Sequence, residues 1–168
     1  MTLATHGIIG AAAAAIAPTV PPLAFVLAFA SHFLIDSLPH RDYQLASIDE
    51  KDDKLQTDMR MGKVFAYDLL RTGTDAFIGL VIAFIIFNQW LFHVPPEIVM
   101  LGVIGGLLPD FLQLVYFLTK HRLLLPLQRF HNWIQEGKSR PEWPLWFGLC
   151  VQAALILLVV SVEWAVLL

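Results

Sequence analysis

Charge is scarce in this chain, and cysteine is nearly absent. Of its 168 residues, 15% are charged and 57% hydrophobic, whereas an ordinary soluble domain carries about 25% charged residues. A water-soluble globular domain is thereby excluded and a membrane protein indicated. The single cysteine, Cys150, excludes an internal disulfide and a thiolate metal cluster. No Lys or Arg precedes Arg41, so the basic start of a cleaved signal peptide is missing and the first apolar segment is expected to be retained. With a net charge of −3 and no dense Lys/Arg cluster, no nucleic-acid partner is expected.

What the chain does contain is apolar runs of bilayer length, about 20 residues each. Spans are expected at 20–38, 72–92, 97–118 and 143–168, with a shorter fifth at 3–17. The fold class is therefore an all-α membrane protein, one integral domain over 1–168 built as a bundle of about five transmembrane helices. The short segment carries the run Ala11 to Ala15 with Gly7 and Gly10, a composition suited to close packing against other helices rather than to lipid. One or two interfacial helices are expected, over Met59–Leu70 and, interrupted by Pro126, over His121–Gln135, where apolar residues recur at helical spacing. The run Asp49–Asp58 (DEKDDKLQTD) has no such period and is expected to be a solvated, mobile loop. All eleven Lys and Arg residues fall in the connections 39–71 and 119–142, which five spans place on one side together with the N-terminus. By the positive-inside rule that side is cytoplasmic.

The ionisable residues gather on the same side. Such groups are costly in a bilayer and mark functional sites by default. His32 and Asp36 are four apart, so a helix points both side chains the same way, the spacing at which one helix offers two ligands to one ion. Pro39 stops that helix, and the chain can turn there to bring His40 and Asp42 back to the same point. Gly105, Gly106 and Pro109 in GGLLPD allow close helix approach and a local distortion that would aim Asp110 inward. Imidazole and carboxylate together suit zinc first, then manganese or iron.

The segments LATHGIIGAAAAA, ASHFLIDSLPH and GGLLPDF resemble the short motifs of the membrane-bound metal-dependent hydrolases of the bacterial inner membrane. HFLIDSLPH is also similar to the H-x-x-x-D helix, followed by Pro and His, of zinc-dependent phospholipases C and related nucleases. The resemblance implies that His6, His32, Asp36, His40 and Asp110 are metal ligands for one to three ions. After L-P-D the family carries a second Asp and a His, where this chain has Leu112 and Gln113; Asp75 and His131 are the residues able to take their place. His131 is accordingly counted among the ligands.

These residues define an expected enzyme: a metal-dependent hydrolase acting on a phosphoester, lipid in type, at the cytoplasmic membrane surface. Asp42 or Asp75 would serve as general base. Asp75 also suits a helix N-terminus, where the macrodipole favours an acid. Arg71, alternatively paired with Asp68 three residues away, and Arg41 would hold the substrate phosphate. Membrane lipid and a lipid or small-molecule substrate are the expected partners, with an oligomer left open. The competing expectations are a metal-binding transporter, and a membrane protein with a structural ion. Transport needs polar residues through the whole membrane depth, and the outer halves of the spans offer chiefly Gln152 and Glu163.

Overall fold

The computed structural model describes residues 1–42, 44–51 and 53–167. Tyr43 and Asp52 in the second connection, and Leu168 at the end of the last expected span, lie outside the described residues. Six α-helices follow one another: α1 (Leu3–Ala15), α2 (Pro21–Asp36), α3 (Lys63–Ala83), α4 (Pro96–Thr119), α5 (Leu125–Gln135) and α6 (Leu145–Leu167).

Their ends follow from local chemistry. The Thr2 side chain caps α1 by accepting from Thr5 N, and Pro21 and Pro22 open α2, where a missing N–H costs nothing. Lys120 closes α4 in the left-handed conformation, its N–H donating to Tyr116 O. Pro126 lies in the first turn of α5, so it starts that helix rather than interrupting it. At its far end α3 runs on into a π-helical stretch, Phe84–Trp90.

Among the described residues, three helices are long and apolar enough to cross a membrane: Lys63–Trp90, Pro96–Thr119 and Leu145–Val166. This corrects the expectation of five spans. α1 has 13 residues and α2 has 16, about 20 and 24 Å at 1.5 Å per residue, short of a hydrocarbon core of about 30 Å. The reason is packing: α1 is enclosed by α2, α3, α4 and α6 and buries ten of its residues, so its length is set by its neighbours. Bare backbones meet along its seam with α4. A Cβ added at Gly10 would lie 2.4 Å from Gly102 O, and one added at Gly106 would lie 2.3 Å from His6 O. The core beyond this seam is Ala11, Ala14, Ala15, Ala24, Phe87, Ile98 and Val99.

Two further expectations change. Lys63–Leu70 forms the first turns of α3, so no separate interfacial helix precedes that span; its apolar period belongs to the long helix itself. The charged run is not a free loop, because its backbone finds partners that a side-chain period does not report. Ile48–Asp49 pairs antiparallel with Asp58–Met59, and Asp53 caps the 3₁₀ turn Lys54–Gln56. Tyr116 OH donates to Leu55 O at 3.2 Å, Lys120 Nζ donates to Thr57 O, and buried Asp68 accepts from Ser47 N at 2.7 Å. α5, by contrast, is amphipathic as expected, burying Gln128 and His131 while exposing Phe130 and Trp133.

Candidate metal centre

α1, α2, α4 and α5 bring their polar residues to one point near the basic end of the bundle. Asp110 stands nine residues short of the end of α4, about 14 Å along the axis, so the point lies within the bundle and not on its rim. Asp36, fully buried, is its hub. His131 Nε2 lies 3.2 Å and His32 Nε2 3.4 Å from Asp36 Oδ2, and those two nitrogens are 3.3 Å apart. Asp110 Oδ1 stands 3.6 Å from His32 Nε2 and 3.7 Å from His131 Nε2. Ligand atoms of His32, Asp36, Asp110 and His131 all fall within 4.8 Å of one another, a group that could hold a metal ion.

The second oxygen of Asp36 faces a different set. His6 Nε2 is 3.1 Å and His40 Nε2 3.8 Å from Asp36 Oδ1, and His40 Nε2 is 2.8 Å from Asp42 Oδ1. The His6 and His32 rings stack at 3.9 Å between centroids. The Met1 ammonium meets Asp36 Oδ1 at 3.3 Å and Asp42 Oδ1 at 2.8 Å. One carboxylate thus joins two groups of donors.

Backbone carbonyls orient two of the rings. His32 Nδ1 lies 2.8 Å from Gly106 O, and His40 Nδ1 lies 2.7 Å from Leu38 O. A carbonyl only accepts, so each Nδ1 carries the proton, and in the neutral ring Nε2 presents a lone pair to the cluster. Pro109 interrupts the α4 hydrogen-bond ladder at this level, and Gly106 allows the close approach of α1. Gln135, one turn beyond His131 on α5, donates from Nε2 to Asp36 Oδ2 at 2.7 Å.

The fit to a cation rests on atoms left without partners. Both ring nitrogens of His6 and Nε2 of His40 are buried and lack a hydrogen bond, although the two Nε2 atoms approach carboxylates closely. The separations suit a hydrogen bond and the alignment does not. On the Oδ1 side the Met1 ammonium already answers the carboxylates, but buried imidazole nitrogens left without a partner still cost about 1–3 kcal/mol per group. A divalent ion bound by imidazole and carboxylate answers them.

The remaining predicted residues are placed as follows. Asp42, in the connection after α2, borders the cluster. Burial alone would raise its carboxyl, but the adjacent His40 and the Met1 ammonium outweigh that and hold it well below the usual carboxylate range. Asp75 accepts from Ala4 N at 2.8 Å, so it serves the N-terminus of α1, as a helix start favours. Arg41 Nη1 donates to Pro141 O at 2.7 Å and to Trp143 O, and Arg71 Nη1 donates to Gln44 O at 3.4 Å. Both arginines and both aspartates line a cleft of about 530 Å³ beside the cluster.

Sequence reasoning missed Gln135 as a partner of the site. Its signal was present, since it follows His131 by four residues on an amphipathic helix. Gln152 was noted only as a polar residue in an apolar span. Its Oε1 accepts from Thr2 N and Thr5 Oγ1, both at 2.9 Å, and so pins the start of α1 to α6. The carbonyls of Gly106 and Leu38 have no side-chain signature to read.

No family model, curated protein or solved structure matches this chain.

Proposed function

We propose that the protein is a membrane-embedded, metal-dependent hydrolase, of the kind its HFLIDSLPH and GGLLPDF segments resemble, acting on a lipid-type phosphoester at the basic, cytoplasmic face. One observation carries this reading: four imidazole Nε2 atoms surround Asp36, and those of His6 and His40 are buried without hydrogen bonds. His32, Asp36, Asp110 and His131 would hold an ion on the Oδ2 side of Asp36. His6 and His40, with Asp42, would hold another on the Oδ1 side. A donor set rich in histidine suits zinc first, then manganese or iron.

When bound, such an ion supplies Lewis acidity and makes hydroxide available near neutral pH. The chain's own residues do the rest. Gly106 O and Leu38 O fix the orientation of His32 and His40, and Gln135 steadies Asp36. Asp42, beside His40 and the Met1 ammonium, is placed to hold charge there or to serve as general base. Asp75 borders the cleft from the other side and is the second candidate to take a proton from an incoming nucleophile. Arg41 and Arg71 supply forks for a phosphate.

The distribution of polar groups supports hydrolysis over transport. Gln152 is occupied at the start of α1, and Glu163 is the buried carboxylate among the described residues of the outer half; a continuous polar path is not formed by two such groups. The test is elemental analysis of purified wild type against a His32→Ala/Asp36→Asn variant, with turnover of phospholipid in liposomes. The expected result is stoichiometric metal and measurable hydrolysis in wild type and neither in the variant. Equal metal content in both overturns the centre, and metal accumulation inside liposomes without turnover replaces hydrolysis by transport.

A further inference from the structure

The two halves of the centre are carried differently. His32, Asp36, Asp110 and His131 project from α2, α4 and α5, whereas His40 and Asp42 lie in the connection after α2. A helix fixes the direction of its side chains, and a connection does so only where something outside it holds its backbone. His40 is nonetheless 1% exposed, with Nε2 2.8 Å from Asp42 Oδ1 and 3.8 Å from Asp36 Oδ1. Its brace is the connection between α5 and α6, residues 136–144. His40 N donates to Lys138 O at 3.1 Å, and Arg140 N donates to His40 O at 2.7 Å, a single parallel bridge opposite Ser139.

Arg41, between the two site residues, fastens this bridge to α6. Its Nη1 donates to Pro141 O at 2.7 Å and to Trp143 O, two carbonyls in the irregular stretch before α6, where no helical ladder supplies donors. A charged donor makes such bonds stronger than a neutral one would. The arginine stem lies on α6 at Gly148, where an added Cβ would come 2.7 Å from Arg41 Cβ and 3.1 Å from Arg41 Cδ. Gln152, one turn further along α6, donates from Nε2 to Arg41 O at 3.4 Å, while its Oε1 holds Thr2 N and Thr5 Oγ1. The segments that bear His6 and His40, the two histidines nearest Asp36 Oδ1, are thereby tied to the same residue of α6.

We propose that Arg41 is a positioning residue of the centre: with the α5–α6 connection and Gly148 it holds His40 and Asp42 against Asp36 Oδ1, while the helix-borne half around Oδ2 stands without it. Nη1 is engaged by the main chain, so this role is separate from any contact that the rest of the guanidinium makes with substrate. The α5–α6 connection, which contributes no ligand, thus has a part in the geometry of the centre. The inference rests on the metal reading only for the ion that the Oδ1 half would hold; the placement of His40 stands without an ion.

The test is labelling of histidines with diethyl pyrocarbonate, mapped by peptide mass spectrometry on the full chain in detergent, alongside cobalt(II) titration followed by absorption. Arg41→Ala removes the clasp. Gly148→Ala leaves Arg41 in place and displaces its stem from the α6 side. Gly73→Ala, whose added Cβ meets nothing within 4 Å, is the control. Both clasp variants are expected to label His40 about tenfold faster than wild type and to bind the Oδ1-side ion about tenfold more weakly, with His32 and His131 as protected as before and the control unchanged. Wild-type labelling of His40 in either clasp variant overturns the proposal. So does equal acceleration at His40, His32 and His131, because the connection would then support the whole bundle and not this half. The expected labelling without cobalt binding in wild type sinks the metal centre and leaves the clasp. Two cobalt ions bound by wild type, with His40 labelled alike in every chain, does the reverse.

Discussion

Replacing Gly106 by Ala tests whether the metal centre depends on the seam between α1 and α4. The new methyl group would sit 2.3 Å from His6 O, 3.1 Å from His6 C and 3.2 Å from Gly10 Cα. An ordinary carbon–oxygen contact is about 3.3 Å, so α1 must retreat by about 1 Å at the level of His6. Functional constellations tolerate displacements of about 0.5 Å. The same substitution disturbs the carbonyl that orients His32, 2.8 Å from its Nδ1. Overpacking of this kind costs about 1–3 kcal/mol of stability, and loss of a ligand-orienting contact costs about 10–100-fold in metal affinity. The assay is metal affinity by competition with a chelating dye, paired with thermal unfolding in detergent. Gly73→Ala is the control. Nothing lies within 4 Å of its added Cβ, and Ala is favoured over Gly inside a helix by about 1 kcal/mol. The expected pattern is weakened metal binding and a lower melting temperature for Gly106→Ala, with Gly73→Ala unchanged or slightly stabilised. Wild-type affinity and melting in Gly106→Ala would refute the dependence.

Gln135→Leu removes the bond to Asp36 Oδ2 while keeping the shape of the side chain; metal affinity is expected to fall about tenfold with unchanged helix content, as read by dye competition and circular dichroism. Asp75→Asn retains an oxygen able to accept from Ala4 N, so melting should shift little; if Asp75 is the base, turnover should fall about 10²–10⁴-fold, and equal turnover removes it from that role. Asp68→Ala deprives Ser47 N of its acceptor and should speed proteolytic cleavage within residues 44–62, without changing metal content; an unaltered cleavage rate would show that the hairpin is held by its other contacts to α4.

The pairing of His32 with Asp36 was legible because helical spacing fixes direction within a single element. His40 was legible because a proline reverses the chain beside it. Asp110 and His131 needed the assumption that scarce polar residues in an apolar chain converge, and their distances to His32 could come only from coordinates. The span count was misjudged for a physical reason. Hydropathy measures how apolar a segment is, and a helix sheathed by other helices, as α1 is, is as apolar as one bathed in lipid; α2 keeps Leu23, Val26 and Leu34 exposed, and what sets both apart is length. The small hairpin at Ile48–Asp49 and Asp58–Met59 escaped notice because main-chain pairing of two residues leaves no pattern of side chains. The resemblance to membrane-bound hydrolases supplied His6 as a ligand, which position in the chain alone would not have done.

The enclosure of α1 has a consequence for biosynthesis. A ribosome makes this helix before the others, yet two of the surfaces that cover it, α4 from Pro96 and α6 from Leu145, emerge well after it. Until then Ala11 to Ala15 have no permanent neighbours on those sides, and a segment of 13 residues is too brief to hold a stable place in the bilayer by itself. The meeting of His6 with Asp110 therefore waits for α4, and His131 arrives later still on α5, so the centre is completed by later insertion steps rather than inherited from the early ones.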